Sequence, residues 1–545
     1  MCEDPGLAVP LDRVLAQLGS FGRQQVRALC LLALVYCTNS MYNVNYVFVV
    51  QEVSFRCRIP ECESSGMTES SWLNFTIPPE TRCTKYSTLG NSSVCSPQHY
   101  DNYAVETCSN FVYSEPDSFV AEFNLGCEEW KQTLVGTIHC FGSMVGLMFQ
   151  GQISDSFGRK KAAVFAGTTG ALLGLAKSYS TSYWLYIVLE GLEAAIGDAL
   201  SPIFMLSIEI VPKRSTILFQ MILLNCYTGG LMLMSLLAWG FPYWRHFLRI
   251  IYAPTLIMIL YPLLLDESIR WLFSKGRREE GIRLIKKAAK RNGVKIEPMM
   301  LNKLEYIEEK EEPTDLKKDR KLLLKTFKSK IMMQRFLVCL VWWFTITLIN
   351  YGMMISSVLI AGNKYVNFAL LMLMDIPANV LYWLVLVRHK RKTTLLVSFL
   401  IGGVFCVCQP FVPEDYNWLA VALFMSFELL ATFSYNIVYM YTSELFPTYT
   451  RNSMHAICSS VGRVGSLLAP QIPLLMSYWS GLPTLIFGVT SLASGMLTVF
   501  MPETRDSQLP DTVREAEDIG RKTTVRKEEI MHKKTDESEP TLIST

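Results

Sequence analysis

The sequence predicts an all-α polytopic membrane protein with twelve transmembrane helices in two six-helix halves. Half of its 545 residues are apolar and only 18% are charged, and the mean hydropathy is +0.25. A soluble domain of this length would need far more polar surface. Apolar runs long enough to cross a bilayer core, about 20 residues each, recur along the chain, and several features repeat at a nearly constant offset.

The apolar runs give the helices in order. The first 24 residues are polar, and the run after them is too long for the apolar region of a signal peptide, so it is predicted to be the first transmembrane helix. The run at 184–209 is interrupted by Glu190, Glu193 and Asp198. The predicted spans lie near residues 25–50, 133–153, 161–180, 184–209, 215–240, 244–265, 334–357, 364–387, 393–412, 417–443, 453–475 and 480–501.

Basic residues between the spans set the predicted orientation. Cytoplasmic loops of membrane proteins are enriched in lysine and arginine, and the basic clusters all fall on one side if both termini are cytoplasmic. We therefore expect a multi-pass protein of the plasma membrane. The clusters are Arg159 to Lys161, Lys213-Arg214, Lys275 to Arg278, Lys286 to Arg291, Arg388 to Lys392, and Arg451.

The segment 51–132 falls on the opposite side and is mainly acidic. It holds two N-glycosylation sequons, at Asn74 and Asn91. An even number of cysteines beside such sequons predicts disulfides formed in an oxidising compartment. Free thiols are the alternative, but exposed thiols oxidise there, and the sequence leaves fifteen pairings open. The six cysteines are Cys57, Cys62, Cys83, Cys95, Cys108 and Cys127.

The remaining polar segments complete the domain organisation. A cytoplasmic N-terminus (1–24) precedes an N-terminal half (25–266), which includes the disulfide loop. A charged cytoplasmic linker (267–333) joins it to the C-terminal half (334–501). The tail (502–545) is polar, and we expect it to be cytoplasmic and disordered.

An internal duplication supports the division into halves. Acidic residues and prolines at the ends of predicted helices recur 235 or 236 residues later, and three matches in phase are unlikely to arise by chance. Transporters are often built from such repeats, with the solute site near the membrane midplane between them. The matching pairs are Glu209 and Glu444, Pro212 and Pro447, and Glu267 and Glu503.

Several motifs resemble known transporters. The run Gly151 to Lys161 (GQISDSFGRKK) is similar to the loop signature of the major facilitator superfamily. Other segments resemble solute carrier family 22, the organic cation, anion and carnitine transporters, and the matches cover residues from about 11 to 512. These segments are Leu11 to Arg23 (LDRVLAQLGSFGR), Asp266 to Leu272 (DESIRWL), Glu444 to Arg451 (ELFPTYTR) and Pro502 to Thr512 (PETRDSQLPDT).

The resemblance gives the charges at helix ends a role. Carboxylate–arginine pairs there are expected to hold the halves together while the site faces outward, and to break when it opens inward. Permanent helix-end pairing is the alternative. The expected gating residues are Asp155, Arg159, Glu209, Arg214, Glu267, Arg270, Glu444 and Arg451.

Arg463 is the strongest candidate for solute binding. It lies about ten residues into the eleventh span, where a guanidinium needs a carboxylate partner or an anionic ligand. In the family the matching position tends to be arginine in anion and carnitine carriers and aspartate in the cation carriers. A buried pair with Asp375 is the alternative. Glu428 stands where the family usually has lysine or arginine, and Asn379 stands where the anion carriers often have lysine. These departures weaken a purely anionic substrate and leave zwitterions open, with their ammonium group bound by Asp375 or Glu428.

Aromatic residues are expected to line the same site, because their faces hold quaternary ammonium or flat organic ions. Trp342 lies in the same stretch of the seventh span, which resembles the cavity wall of the family. The predicted lining residues are Trp343, Phe344, Tyr351, Tyr435 and Tyr439.

Other functional classes find little support. The sequence has no Walker A loop, HExxH motif or paired CxxC, so we expect no enzyme activity, cofactor or metal. The net charge of +3 does not favour nucleic-acid binding. The predicted partners are small charged organic solutes and the lipid bilayer, with a coupling ion or counter-solute left open. A non-transporting sensor or scaffold of the same fold is the alternative function.

Overall fold

The computed structural model describes residues 10–19, 21–51, 53–64, 68–79, 82–89, 95–212, 215–296, 327–359, 362–505, 510 and 513–519. These residues form two compact units. The N-terminal unit consists of Arg23–Val211 and Gly229–Lys275, and the C-terminal unit contains the described residues of Met1–Gly22, Pro212–Thr228 and Gly276–Thr545. The domain boundaries expected from the sequence stay predictions.

Helices dominate both units, and a helix coincides with each predicted span. In the first part of the chain the helices are α1 (Pro10–Gln17), α2 (Arg23–Val44), α3 (Tyr46–Val49), α4 (Pro60–Glu63), α5 (Glu69–Thr76), α6 (Phe119–Glu122), α7 (Glu129–Phe157), α8 (Arg159–Lys177), α9 (Tyr183–Ile196), α10 (Leu200–Ile210), α11 (Thr216–Gly240), α12 (Trp244–Tyr252), α13 (Tyr261–Leu264), α14 (Ile269–Ser274) and α15 (Arg278–Asn292). The later helices are α16 (Lys330–Ser357), α17 (Lys364–Leu373), α18 (Asp375–Arg388), α19 (Arg391–Cys408), α20 (Asn417–Leu445), α21 (Thr448–Leu468), α22 (Leu482–Thr498) and α23 (Val513–Asp518).

Short 3-10 segments continue several of these helices. One, Ala253–Leu260, joins α12 to α13, and another, Ala469–Ser477, follows α21. Both have a proline at their start, where its missing N–H removes one helical hydrogen bond. Within the described part of the chain, eight helical stretches are long and apolar enough to cross a membrane.

The fourth predicted span is broken between α9 and α10. Asp198 Oδ1 accepts from the backbone N–H of Leu200 at 2.9 Å and from Asn39 Nδ2 at 3.0 Å. Asn39 Oδ1 in turn accepts from the N–H of Ala199 at 3.0 Å. These side chains satisfy backbone donors that a continuous helix would use, so the interruption by Asp198 is a helix start held by a neighbouring helix.

The segment between α3 and α7 forms a small disulfide-bonded subdomain. Two antiparallel strand pairs frame it: β1 (Phe55–Cys57) with β4 (Phe111–Tyr113), and β2 (Thr84–Thr88) with β3 (Tyr100–Thr107). Trp72 and Tyr100 pack with the cysteines in its core.

All six predicted cysteines are paired, so the disulfide framework is confirmed. The bonds are Cys57–Cys108, Cys62–Cys95 and Cys83–Cys127. Asn74 lies exposed on α5, accessible as a sequon must be. Asn91 lies outside the described residues.

Part of the tail is ordered, so the prediction of disorder is wrong for α23. Val513, Ala516 and Ile519 are buried against the C-terminal unit. Arg335 on α16 donates to the carbonyl oxygens of Ala516 at 2.5 Å and Ile519 at 3.1 Å. An arginine that binds the carbonyls at a helix C-terminus stabilises that end of the helix, which explains why this polar segment folds.

Candidate functional site

Arg463 and Tyr351, predicted separately as solute-binding residues, lie together. The Arg463 guanidinium on α21 donates to the Tyr351 hydroxyl on α16 at 2.9 Å. The two helices pack closely because glycines face α16: a Cβ on Gly462 would lie 2.8 Å from the Cβ of Trp343. Thr347 also donates to the carbonyl oxygen of Gly462. Arg463 is therefore held at a defined place on a rigid helix pair.

A cluster of aromatic rings lies beside the segment of α21 that carries Arg463. The Trp343 ring lies 5.6 Å from Tyr439 and 6.4 Å from Tyr435, between centroids. Trp343 is 1% exposed and its indole N–H donates to Thr442, whereas Tyr439 is 42% exposed. Trp343 is therefore a buried residue against which the cluster packs, whereas the Tyr439 ring is accessible to a solute.

His455 completes this cluster and was missed in the sequence. Its ring lies 4.5 Å from Tyr439 and 5.1 Å from Trp343, between centroids. His455 is two helical turns before Arg463, which places both on one face of α21. That spacing is the signal that could have identified it.

The other aromatic candidates have different positions. Phe344 is half-buried on α16. Trp342 is completely buried, stacks on Tyr441 at 5.3 Å and donates to Thr498 at 3.1 Å. Trp342 is therefore a core residue of the C-terminal unit and no part of a cavity wall.

Two carboxyl groups lie near each other: the half-buried Asp375 on α18 and the buried Glu428 on α20. Thr432 donates to Asp375 at 2.7 Å, and Glu428 lies one helical turn before Thr432 on α20. Glu428 is 2% exposed, and its Oε2 atom has no hydrogen-bond partner among the residues described. One turn further along, Asn436 donates to Asn379 at 2.8 Å. Arg463 and Asp375 thus bind different residues, Tyr351 and Thr432.

Four of the expected gating residues lie close together in the N-terminal unit. Arg159 contacts Asp155 at 2.5 Å and Glu209 at 3.3 Å. Glu267 accepts from the backbone N–H of Lys160 at 3.0 Å. Gly158, with φ +109°, makes the turn, and a Cβ there would lie 2.5 Å from Glu267.

The C-terminal unit repeats this arrangement. Arg391 lies 3.6 Å from Glu444, and Glu503 accepts from the backbone N–H groups of Arg391 at 2.9 Å and Lys392 at 3.2 Å. Arg391 was not among the predicted residues, although it follows Arg159 by 232 positions. The basic residues that follow both the second and the eighth predicted spans are the signal that could have identified it.

These contacts join helices within one unit, so pairing between the halves stays a prediction. Arg270 lies half-buried on α14. Arg214 lies outside the described residues. Arg451 lies on α21, and its side chain is not among those described.

Comparisons with known proteins agree with this architecture. The profile of the family described as "Sugar (and other) transporter" matches residues 91–514. The chain is 29% identical over 532 residues to the organic cation transporter protein of Drosophila melanogaster, covering 94% of this chain and 95% of that protein. It is 29% identical over 529 residues to human organic cation/carnitine transporter 2, covering 92% and 93%.

A solved structure shows the same fold. The inward-open xylose transporter XylE from E. coli superposes with a TM-score of 0.56 at 13% identity, covering 90% of this chain and 100% of that one. This likeness confirms the predicted fold class, and the sequence comparisons confirm the resemblance noted in the motifs.

Proposed function

We propose that this chain, which belongs to the sugar (and other) transporter family of the major facilitator superfamily, carries small organic solutes bearing a carboxylate across the plasma membrane. Its family and relatives are membrane transporters and not enzymes. The proposed solutes are zwitterions of the carnitine kind and organic anions.

Arg463 is the observation that carries this proposal. Its guanidinium lies on α21, within the predicted eleventh span, where a charge needs a counter-charge. It is positioned by Tyr351 at 2.9 Å, and a planar guanidinium binds a carboxylate through two parallel hydrogen bonds. A solute carboxylate therefore suits this position.

The acidic and aromatic residues favour a solute with a positive end as well. The Tyr439 ring is exposed, and such a face attracts a quaternary ammonium. Asp375 and Glu428 place two carboxyl groups in the same unit, where an ammonium group of a solute could bind. Organic cations are the second candidate class, favoured by the Glu428 oxygen that lacks a partner among the described residues. Relatives named as organic cation and carnitine transporters are consistent with both classes.

Transport is proposed to proceed by alternating access with both termini cytoplasmic. The clusters around Arg159 and Arg391 lie at corresponding helix ends, where a gate would form and break during the cycle. A coupling ion or counter-solute completes this scheme.

Uptake by proteoliposomes tests the proposal. Labelled L-carnitine, p-aminohippurate and tetraethylammonium represent a zwitterion, an anion and a cation, each assayed with and without sodium. Loss of a charge-assisted hydrogen bond costs about 2 kcal/mol, so Arg463→Ala should weaken the affinity for a carboxylate solute about 30-fold. Arg463→Lys should weaken it less, and Arg283→Ala, at an exposed position on α15, should not change it. Normal affinity in Arg463→Ala would refute the role of this residue.

Reversing the charge separates the solute classes. Arg463→Asp should shift preference from p-aminohippurate toward tetraethylammonium, because the local field changes sign. Unchanged selectivity in a correctly inserted variant would contradict the assignment. Saturable binding of these solutes without flux would instead favour a sensor of the same fold.

A further inference from the structure

Four ionisable side chains form a buried network in the N-terminal unit, whereas Arg463 belongs to the C-terminal unit. They come from α7, α8 and α9, and each is at most 3% exposed. Lys177 Nζ lies 2.7 Å from Glu190 and 3.2 Å from Glu193. His139 Nδ1 lies 2.8 Å from the other oxygen of Glu190. The i,i+3 spacing of the two glutamates turns both toward Lys177.

The helices around this network pack too tightly for an organic solute. A Cβ on Gly142 of α7 would lie 3.0 Å from the Cβ of Ala194 on α9. A Cβ on Gly170 of α8 would lie 2.8 Å from the Cα of Gly197. Only a very small ligand fits, and the Lys177 ammonium already occupies the place between the carboxylates that a metal ion would take.

The charge of the network is incomplete without one more proton. Two carboxylates and one ammonium sum to −1 when His139 is neutral, and an unbalanced charge inside a membrane protein is costly. His139 Nδ1 is engaged by Glu190, whereas its Nε2 atom is buried and has no hydrogen-bond partner among the residues described. A proton on Nε2 would make the sum zero.

Tyrosine rings from several helices pack around the network. Tyr46 on α3 faces His139, with ring centroids 5.2 Å apart. Lys177 Nζ lies 4.9 Å from the ring centroid of Tyr252 on α12 and 5.9 Å from that of Tyr186 on α9. Tyr42 on α2 stacks against Tyr252 at 4.3 Å.

The nearby charges outside the network have their own contacts. Arg249 on α12 donates to Ser178, next to Lys177, at 3.3 Å. Asp198 after α9 is bound by Asn39 and the N–H of Leu200. Neither Arg249 nor Asp198 therefore compensates the negative charge of the network. A proton on His139 is what balances the charge of the two glutamates and Lys177.

We propose that the network of His139, Lys177, Glu190 and Glu193 is a binding site for one exchangeable proton, and that this proton is the coupling ion of the transporter. The site rests on geometry and charge balance alone, whereas the coupling rests on the proposed function. The proton is bound when the network is neutral and released when it carries one negative charge.

Proton binding is tested on the purified full chain in detergent, without any solute. Nitrogen-15 NMR of the histidine rings and the infrared carboxylic-acid band are recorded from pH 8.5 to pH 5. We expect one titration in the wild type and none in His139→Gln. In Glu193→Gln the proton affinity of the site should fall about tenfold, because this variant lacks the negative charge that the proton balances. His246→Gln, at an exposed position, should leave it unchanged.

The size-exclusion profile of each variant shows whether it is folded, and Glu193→Gln keeps the side-chain shape if His139→Gln does not fold. The absence of any titration assigned to His139, Glu190 or Glu193 overturns the site, whichever solute the protein carries. A titration that persists in both variants does the same.

Coupling is tested separately with pyranine-loaded proteoliposomes, using L-carnitine and tetraethylammonium as probes. In the wild type we expect protons to enter the vesicles together with the solute. The His139→Gln variant should still exchange labelled solute, but without proton entry. Solute flux without proton flux in the wild type overturns the coupling. Intact proton titration with no flux of either probe counts against the proposed function and supports the proton site.

Discussion

Replacing Glu503 should destabilise the C-terminal unit more than the replacement of an exposed glutamate does. Its carboxylate accepts from the N–H groups of Arg391 and Lys392 at the start of α19, at 2.9 and 3.2 Å. It also accepts from the N–H groups of Thr504 and Arg505, each at 3.2 Å. Lys390, the residue before α19, provides no side-chain cap, so Glu503 caps this helix from a distant part of the chain.

The expected cost follows from these contacts. A lost cap costs about 1 kcal/mol, and loss of a negative charge at a helix N-terminus costs up to about 1 kcal/mol more. With two helical donors affected, Glu503→Ala should cost about 2 to 3 kcal/mol. Glu267 binds one helical donor, the N–H of Lys160, and the N–H of Ser268, so Glu267→Ala should cost about half as much.

Thermal unfolding followed by size-exclusion chromatography measures the difference. Glu503→Ala should lower the melting temperature by about 5 °C and Glu267→Ala by about 2 to 3 °C. Glu503→Gln keeps one acceptor oxygen and should fall between wild type and Glu503→Ala. The control, Glu279→Ala, removes an exposed carboxylate from the first turn of α15. If Glu503→Ala melts with this control, the capping argument is wrong.

Two further predictions concern packing. Arg335→Ala should release α23, because the carbonyls of Ala516 and Ile519 lose their donor; trypsin should then cleave after Arg514 several times faster, and an unchanged rate would contradict the docking. Gly462→Ala should lower the melting temperature, since overpacking against Trp343 costs about 1 to 3 kcal/mol. Gly229→Ala should not, because a Cβ there meets nothing within 4 Å, and equal melting temperatures would refute this account.

The spans and their duplication were predictable because both depend on local sequence patterns: apolar runs and motifs that recur at a constant offset. Hydropathy marks a helix that crosses a bilayer wherever its neighbours lie. The repeat that aligned Glu209 with Glu444 also orders contacts, since Glu209 binds Arg159 and Glu444 lies beside Arg391.

The partners of buried charges were not predictable in the same way. Glu190 and Glu193 stood out as charges in a span, but Lys177 lies 13 and 16 residues away on another helix, where no local pattern pairs them. The ordered helix α23 was missed for the same reason, because a single donor, Arg335, binds its end from 181 to 184 residues away. Tertiary contacts of this kind need the fold before they can be inferred.

The disulfide-bonded subdomain has a consequence for how the protein is made. Cys62–Cys95 is nested within Cys57–Cys108, whereas Cys83–Cys127 crosses both. Cys127 stands two residues before α7 begins, so the last bond waits until the ribosome has delivered the start of that helix. Because disulfides form in oxidising compartments, we infer that the loop closes in the secretory pathway, at the earliest once Cys127 has entered it. Expression hosts without such a compartment should yield a chain whose membrane helices insert but whose loop stays unclosed.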